Sequence, residues 1–171
     1  MSNNHVAVAG GSGTGKTHRI KHQIIPEVKQ YAPVFICDTK GYDYRDVADA
    51  KVSHPKQFKQ AVEKGHQVIR WIPEFSSSKS DEAGEELDKF TRGCDKAFQD
   101  LKYMYMIVDE AHNYQISSHM YADLFERAMR EYRGLGANII QSSQNPTDYA
   151  TCTWNNSHNV IAHAMESIPI N

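Results

Sequence analysis

Four of the six residues from Gly10 to Gly15 are glycine, and they stand between an apolar run, His5–Ala9, and an amphipathic stretch from Lys16 to about Tyr31. A chain that leaves a strand, turns through glycines and enters a helix can aim successive N–H groups inward, because glycine accepts backbone angles closed to other residues. Such a concavity at the positive end of a helix holds an anion, above all a phosphate. The octet Gly10-Gly11-Ser12-Gly13-Thr14-Gly15-Lys16-Thr17 also has the spacing G-x-x-x-x-G-K-[ST]. In that pattern Lys16 reaches terminal phosphates and the Thr17 hydroxyl is a Mg2+ ligand. A strand–loop–helix start of this kind commits the chain to an α/β fold.

A second feature suits the first. Tyr105-Met106-Ile107-Val108 is apolar and runs into Asp109 and Glu110. A buried strand delivers its last residues to the carboxyl edge of a sheet, where ligands of parallel α/β proteins bind. There Asp109 can hold Mg2+ through its water shell. Glu110, one residue later, can polarise an attacking water as a general base. A solvated Asp-Glu pair at a strand end is the plain alternative, and the upstream phosphate loop weighs against it.

The remaining pattern alternates short apolar runs with amphipathic ones, as in an α/β domain with a mostly parallel sheet. Strands are expected at Val34–Asp38, Gln67–Ile72, Tyr103–Val108, Ala137–Ser142 and Asn159–Ala164. Helices are expected over Phe58–Lys64, from Leu87 to Leu101, and from Tyr121 to the Gly134–Gly136 turn, with Pro26 interrupting the first helix. Glu74–Gly84 is Ser-rich and charged and reads as an exposed loop. With 171 residues and no dividing linker, one domain spanning 1–171 is expected. Mean hydropathy is -0.63, and no apolar run is long enough to span a bilayer. Cys37, Cys94 and Cys152 lie far apart and are odd in number, which argues against a disulfide framework. His158 and His163, five apart on an expected strand, would face opposite sides and not share a metal. The net charge of -2 excludes a strongly basic nucleic-acid coat, so any nucleic acid would be held by a few local cations.

Four segments together resemble the FtsK–HerA superfamily of ring-forming, DNA-translocating ATPases. They are GGSGTGKT at 10–17, CDTKG at 37–41, IVDEAH at 107–112 and REYRGLGANIIQSSQNP at 130–146. The resemblance implies a RecA-like (ASCE) P-loop core with a central, mostly parallel sheet flanked by helices, using ATP and Mg2+. It also implies that Gln144 senses the γ-phosphate and that Arg133 or Arg130 enters a neighbouring subunit's site, in a ring that is expected to be a hexamer around double-stranded DNA. Both arginines are also ordinary cations for a helix C-terminus, where the dipole favours them.

Within that superfamily the first strand at His5 and the short tail after the last strand resemble the bare motors that package genomes of icosahedral, membrane-containing viruses. That implies capsid or membrane-vertex proteins as partners, and a place in the host cytoplasm or at the packaging vertex. A Zot-like virion assembly or secretion ATPase is the alternative, and a small nucleotide kinase, with the 130–133 arginines as lid residues, a weaker one. Lys40, Tyr42, Tyr44 and Arg45 form an aromatic and basic cluster after the second strand that could reach a pore, and His119 and Ser117 lie where a nucleotide-responsive segment would. Ordinary surface loop is the plainer reading of both.

Overall fold

The computed structural model describes residues 5–117 and 119–163. Seven strands form one sheet: β1 (His5–Ala9), β2 (Val34–Cys37), β3 (Ala50–Val52), β4 (Val68–Trp71), β5 (Met104–Val108), β6 (Ala137–Ser143) and β7 (Ser157–Ala162). Their order is β3-β4-β2-β5-β6-β1-β7, and every pairing is parallel. The sheet is thus all-parallel where a mostly parallel one was expected. Because all strands run the same way, every segment that follows a strand emerges at one edge.

Strand residues alternate between two buried faces. Phe35, Cys37, Ile69, Trp71, Met104, Met106, Val108 and Ile139 point to one core, beneath α3 (Lys56–Glu63), α4 (Asp81–Phe98) and α5 (Asp123–Leu135). Val8, Val34, Ile36, Val68, Ile107 and Ile140 point to the other, with Ile20 and Ile25. Continuous apolar strands of this kind are what burial on both faces requires. The second core is covered by α1 (Lys16–Arg19), a π-helical stretch Ile20–Ile24 and α2 (Ile25–Val28). Pro26 explains the widening: it has no N–H to give and its ring crowds the preceding turn, and Ile25 N–H accordingly bonds back to Ile20 O. Pro26 therefore reshapes the helix without ending it.

Three expectations are corrected. The exposed loop does not extend to Gly84, because α4 begins at Asp81. Ser80 caps it by accepting the Ala83 N–H at 3.3 Å, and Asp81 and Glu82 sit in its first turn, where the helix dipole favours acids. At 84 and 93, inside the helix, glycine is needed because neighbours come too close for a side chain. An added Cβ would lie 2.4 Å from Ile116 Cγ2 at Gly84 and 2.4 Å from Phe58 Cδ2 at Gly93. Neither β3 nor α6 (Thr151–Asn156) was expected. The first spans only three residues and the second is a polar, β-branched sequence, so neither carries a periodic signal. Finally, Tyr44 is fully buried in the second core, and does not belong to a surface cluster with Tyr42.

Phe58 is locked among Phe35, Trp71 and Phe90 at ring separations of 5.7 to 5.9 Å. Gly93→Ala is therefore expected to destabilise the fold by about 1–3 kcal/mol through overpacking. That outweighs the gain of about 1 kcal/mol in helix propensity, and urea unfolding midpoints measure the net sign.

Candidate active site

The phosphate loop leaves β1 with Gly13 at φ 75 and Gly15 at φ 93, both left-handed, so the backbone between them folds into a cup. Gly10 has a different reason to be glycine: an added Cβ would lie 2.6 Å from His163 Cβ and 2.8 Å from Thr14 Oγ1. The loop is tied on both sides, by Gly10 N–H to Ser143 O at 3.3 Å and by His163 N–H to Ala9 O at 2.8 Å. His163 Nδ1 also lies 3.1 Å from Thr14 O. Lys16 is buried, and its ammonium donates to Gly10 O at 2.6 Å and Gly11 O at 3.0 Å. Thr17 follows it, half-buried, while Ser12 and Gly13 at the loop tip are exposed.

Strand β6 lies between β1 and β5, and its register sets Ser142 level with Val8 and Gln141 level with Val108. The end of β6 thus falls between the phosphate loop and the acidic pair. Ser142 Oγ donates to Asp109 Oδ1 at 2.5 Å and accepts the Glu110 N–H at 2.9 Å. Ser142 is the residue that the sequence reading missed; the two serines before Gln144 were the only signal of it. Thr39 fastens the same corner from the β2 side, donating to Asp109 O while sharing a 2.7 Å hydrogen bond with Tyr114. Gln144, one residue past β6, is exposed at this edge beside the loop.

Both carboxylates are held with oxygen atoms to spare. Asp109 and Glu110 are buried, and Asp109 Oδ2 and Glu110 Oε2 have no hydrogen-bond partner among the described residues. Buried carboxylate oxygens without partners are costly, so their position at a ligand-binding edge has chemical meaning. Glu110 also adopts φ 48, a left-handed conformation that is strained for a residue with a side chain. Its carboxylate has Lys40 Nζ at 3.8 Å from Oε1 and His112 Nδ1 at 3.6 Å from Oε2. Burial lowers the His112 pKa, against opposing pulls from Glu110 and Asp148. Burial raises that of Asp109 to about 6; the Ser142 hydrogen bond opposes this, and the charges of Glu110 and Asp43 add to it.

The residues fit Mg2+ held in the sparse way usual for that ion. Among the described residues no group of three His, Cys, Asp or Glu side chains could hold a metal. Mg2+ usually needs no such cage, because substrate phosphates and waters fill most of its octahedron. The Thr17 hydroxyl and the unpartnered oxygen of Asp109 are the donors that this chain offers.

Arg130 and Arg133 lie on α5, which starts at the carboxyl edge and runs back towards the other. Arg130 is exposed and pairs with Glu126 at 3.5 Å, and the side chain of Arg133 lies outside what the structure describes. Cys37, Cys94 and Cys152 are buried free thiols. His119 bonds towards Tyr149 O at 3.3 Å, and Ser117 forms an isolated bridge with Met120. Among the described residues no helix is long and apolar enough to cross a membrane.

No family model matches the sequence, and no curated protein matches it either. Solved structures do. The genome-packaging NTPase B204 of Sulfolobus turreted icosahedral virus 2, in complex with ATP-gammaS, aligns with TM-score 0.79 at 17% identity, over 99% of this chain and 78% of that one. The cytoplasmic domain of EssC aligns with TM-score 0.59 at 13% identity, over 96% of this chain and 32% of that one. Thermomonospora curvata EccC (ATPases 2 and 3), in complex with a signal sequence peptide, aligns with TM-score 0.56 at 14% identity, with the same coverage of 96% and 32%. These neighbours share the RecA-like P-loop NTPase fold with this chain, the fold that the FtsK–HerA resemblance implied.

The raised pKa of Asp109 has a consequence for stability. The folded chain holds that proton more tightly than the unfolded chain, so stability falls as pH rises from 3.8 to about 6 and the full cost remains above that. Without nucleotide, Asp109→Asn should therefore stabilise the protein by about 2–3 kcal/mol at pH 8. The gain should vanish near pH 4, as thermal melts across that range would report.

Proposed function

We propose that this chain is the Mg-ATP-hydrolysing core of a ring-forming motor that moves double-stranded DNA, of the kind that packages a viral genome. The observation that carries the hydrolytic part is the pair of buried, unpartnered carboxylate oxygens two strands from a phosphate cradle. A binding switch has no use for a second acid there, whereas a general base speeds turnover. The packaging part is supported by the B204 likeness, which extends over nearly the whole chain, and by the four segments shared with the superfamily. The 1–171 chain then acts as one ATPase domain.

In this reading the loop N–H groups of Gly10–Gly15 and the Lys16 ammonium take the β- and γ-phosphates. Thr17 and Asp109 would hold Mg2+, which when bound would spread the charge of the transferring phosphoryl group. Glu110 accepts a proton from water as its oxygen bonds to the γ-phosphorus. The bond from that phosphorus to the β–γ bridging oxygen breaks, and ADP leaves with the electron pair. Gln144 contacts the γ-phosphate end, and Arg133 or Arg130 of an adjacent subunit in the ring steadies the transition-state charge. Partners are double-stranded DNA, further copies of the chain in a hexamer, and capsid or membrane-vertex proteins. The place of action is the host cytoplasm or the packaging vertex.

Glu110→Gln should lower kcat by about 100-fold to 10,000-fold while ATP binding persists. Hydrolysis by that variant at the wild-type rate would remove the base assignment. Lys16→Ala should weaken ATP binding by about tenfold or more, the worth of one charge-assisted contact. The deciding assay is hydrolysis with and without long double-stranded DNA. Stimulation that fades with salt supports a translocating motor. Indifference to DNA, with acceleration by a protein partner, would instead favour the assembly or secretion ATPase.

A further inference from the structure

The chain is acidic, yet one end of its sheet is not. Residues 51–66, which run from β3 through α3, hold four lysines against one glutamate, a net +3 with histidine neutral, in a chain of net -2. On α4, Lys89, Arg92 and Lys96 follow at spacings of three and four and so share one stripe of the helix, while Leu87, Phe90, Cys94 and Ala97 join the core. Lys59 is matched by Asp100 at 2.5 Å and Lys89 by Glu86 at 2.6 Å. Lys51, Lys56, Lys64, Arg92 and Lys96 are exposed and form no ion pair among the described residues. Lys56 is moreover the first residue of α3, whose first turn holds no acid. A cation there opposes the positive end of the helix dipole, and an anion bound beside it would remove the conflict.

These cations border connected hollows. The segments leaving β3 and β4 and one side of α4 enclose a cavity of about 450 Å3, with His54, Trp71, Arg92 and Lys96 in its wall together with Glu74 and Glu86. Glu86 is already engaged, by Lys89 and by the Glu74 N–H at 3.1 Å. Lys96 also lines a neighbouring hollow between α3 and α4, with Lys56 and Gln60. Gln60 in turn lines a third, beside Lys51 and Lys64. The five unpaired cations thus belong to one continuous surface. Trp71 is 3% exposed, and its indole N–H has no hydrogen-bond partner among the described residues. Buried donors of that kind are rare, and a phosphate oxygen in the cavity is an acceptor that would complete it.

The surface lies at the end of the sheet away from the phosphate loop, with β2, β5 and β6 between β4 and β1. A polyanion can rest there without entering the nucleotide site. One small anion would use the cavity alone and leave Lys51, Lys56 and Lys64 unmatched, whereas a duplex presents phosphates in a row. Resting on the reading of this chain as a DNA-moving ATPase, we propose that the β3–α3–α4 end of the sheet holds the phosphate backbone of double-stranded DNA. Lys56, Arg92 and Lys96 are its central contacts.

The test follows binding of a fluorescein-labelled duplex by anisotropy across a salt series, beside ATP hydrolysis without DNA and a thermal melt. Wild type is compared with Lys56→Gln/Arg92→Gln/Lys96→Gln and with the charge-keeping Lys56→Arg/Arg92→Lys/Lys96→Arg. A control, Lys29→Gln/Lys102→Gln/Arg127→Gln, removes three exposed cations elsewhere. The first variant is expected to bind DNA about tenfold or more weakly than wild type, with a salt slope shallower by about 2 to 3. Its basal kcat and melting point should match wild type, because the three side chains are exposed and far from the phosphate loop. The charge-keeping variant and the control should bind within about threefold of wild type. Binding by the first variant no weaker than by the control overturns this surface and leaves the DNA-motor reading standing. A charge-keeping variant as weak as the first also overturns it, since backbone phosphates answer to charge. A wild type that hydrolyses ATP but binds no duplex overturns the DNA part of the reading, and the surface with it.

Discussion

The register of three adjacent strands is the constraint on which the site depends. Strand β6 enters between β1 and β5 with Ser142 level with Val8 and Gln141 level with Val108. Side chains alternate along a strand, so a slip of one residue would turn Ser142 away from Asp109 and leave that buried carboxylate without a hydrogen-bond donor. It would also turn Ile139 and Ile140 to the wrong faces, where two different helix layers wait. The apolar pattern and the hydrogen bonds of the acidic corner therefore select the same register.

What the cores stabilise, the carboxyl edge partly gives back. Asp109 and Glu110 each keep a buried oxygen that makes no hydrogen bond among the described residues, and Glu110 stands in a left-handed conformation that its side chain disfavours. Strained and incompletely paired groups persist only where the surroundings over-determine them. Here the surroundings are β5 and β6, joined in parallel register over five residue pairs, with the Ser142 and Thr39 hydroxyls closing the corner. In the function proposed above, these acids stand at the edge where a cation, a water and phosphates would meet.

The segment after β2 extends this rigidity outward. The buried pair Arg70–Asp38 has side-chain exposures of 8% and 0%, and an ion pair so enclosed holds a definite geometry once its hydrogen bonds are made. It braces the Gly41 turn, and the turn sets Lys40 beside Glu110. A charge on the surface of the loop and the buried Glu110 carboxylate are thereby brought within 3.8 Å of each other.

Much of this was legible in the residues. Gly10–Thr17 and Val108–Glu110 announce their geometry because strand, glycine turn and helix follow one another within a few positions, and local sterics decide them. Strands β2 and β5 were legible because burial on both faces leaves unbroken apolar runs, and β4 and β6 because Val68–Ile69 and Ile139–Ile140 still mark their centres. The start of α4 was not, because Gly84 reads as a breaker until Ile116 is seen pressed against it from a distant part of the chain. Nor were β3 and α6, which are too short or too polar to show a period, or the burial of Tyr44, which depends on the core it shares with Ile20, Ile36 and Val68. The sequence by itself determined an α/β chain with a phosphate loop and an acidic strand end, since those rest on neighbouring residues. Only the tertiary structure decided that Ser142 and Lys40 attend the acids, because contacts between residues 32 and 70 positions apart follow from the order of strands and not from any local preference.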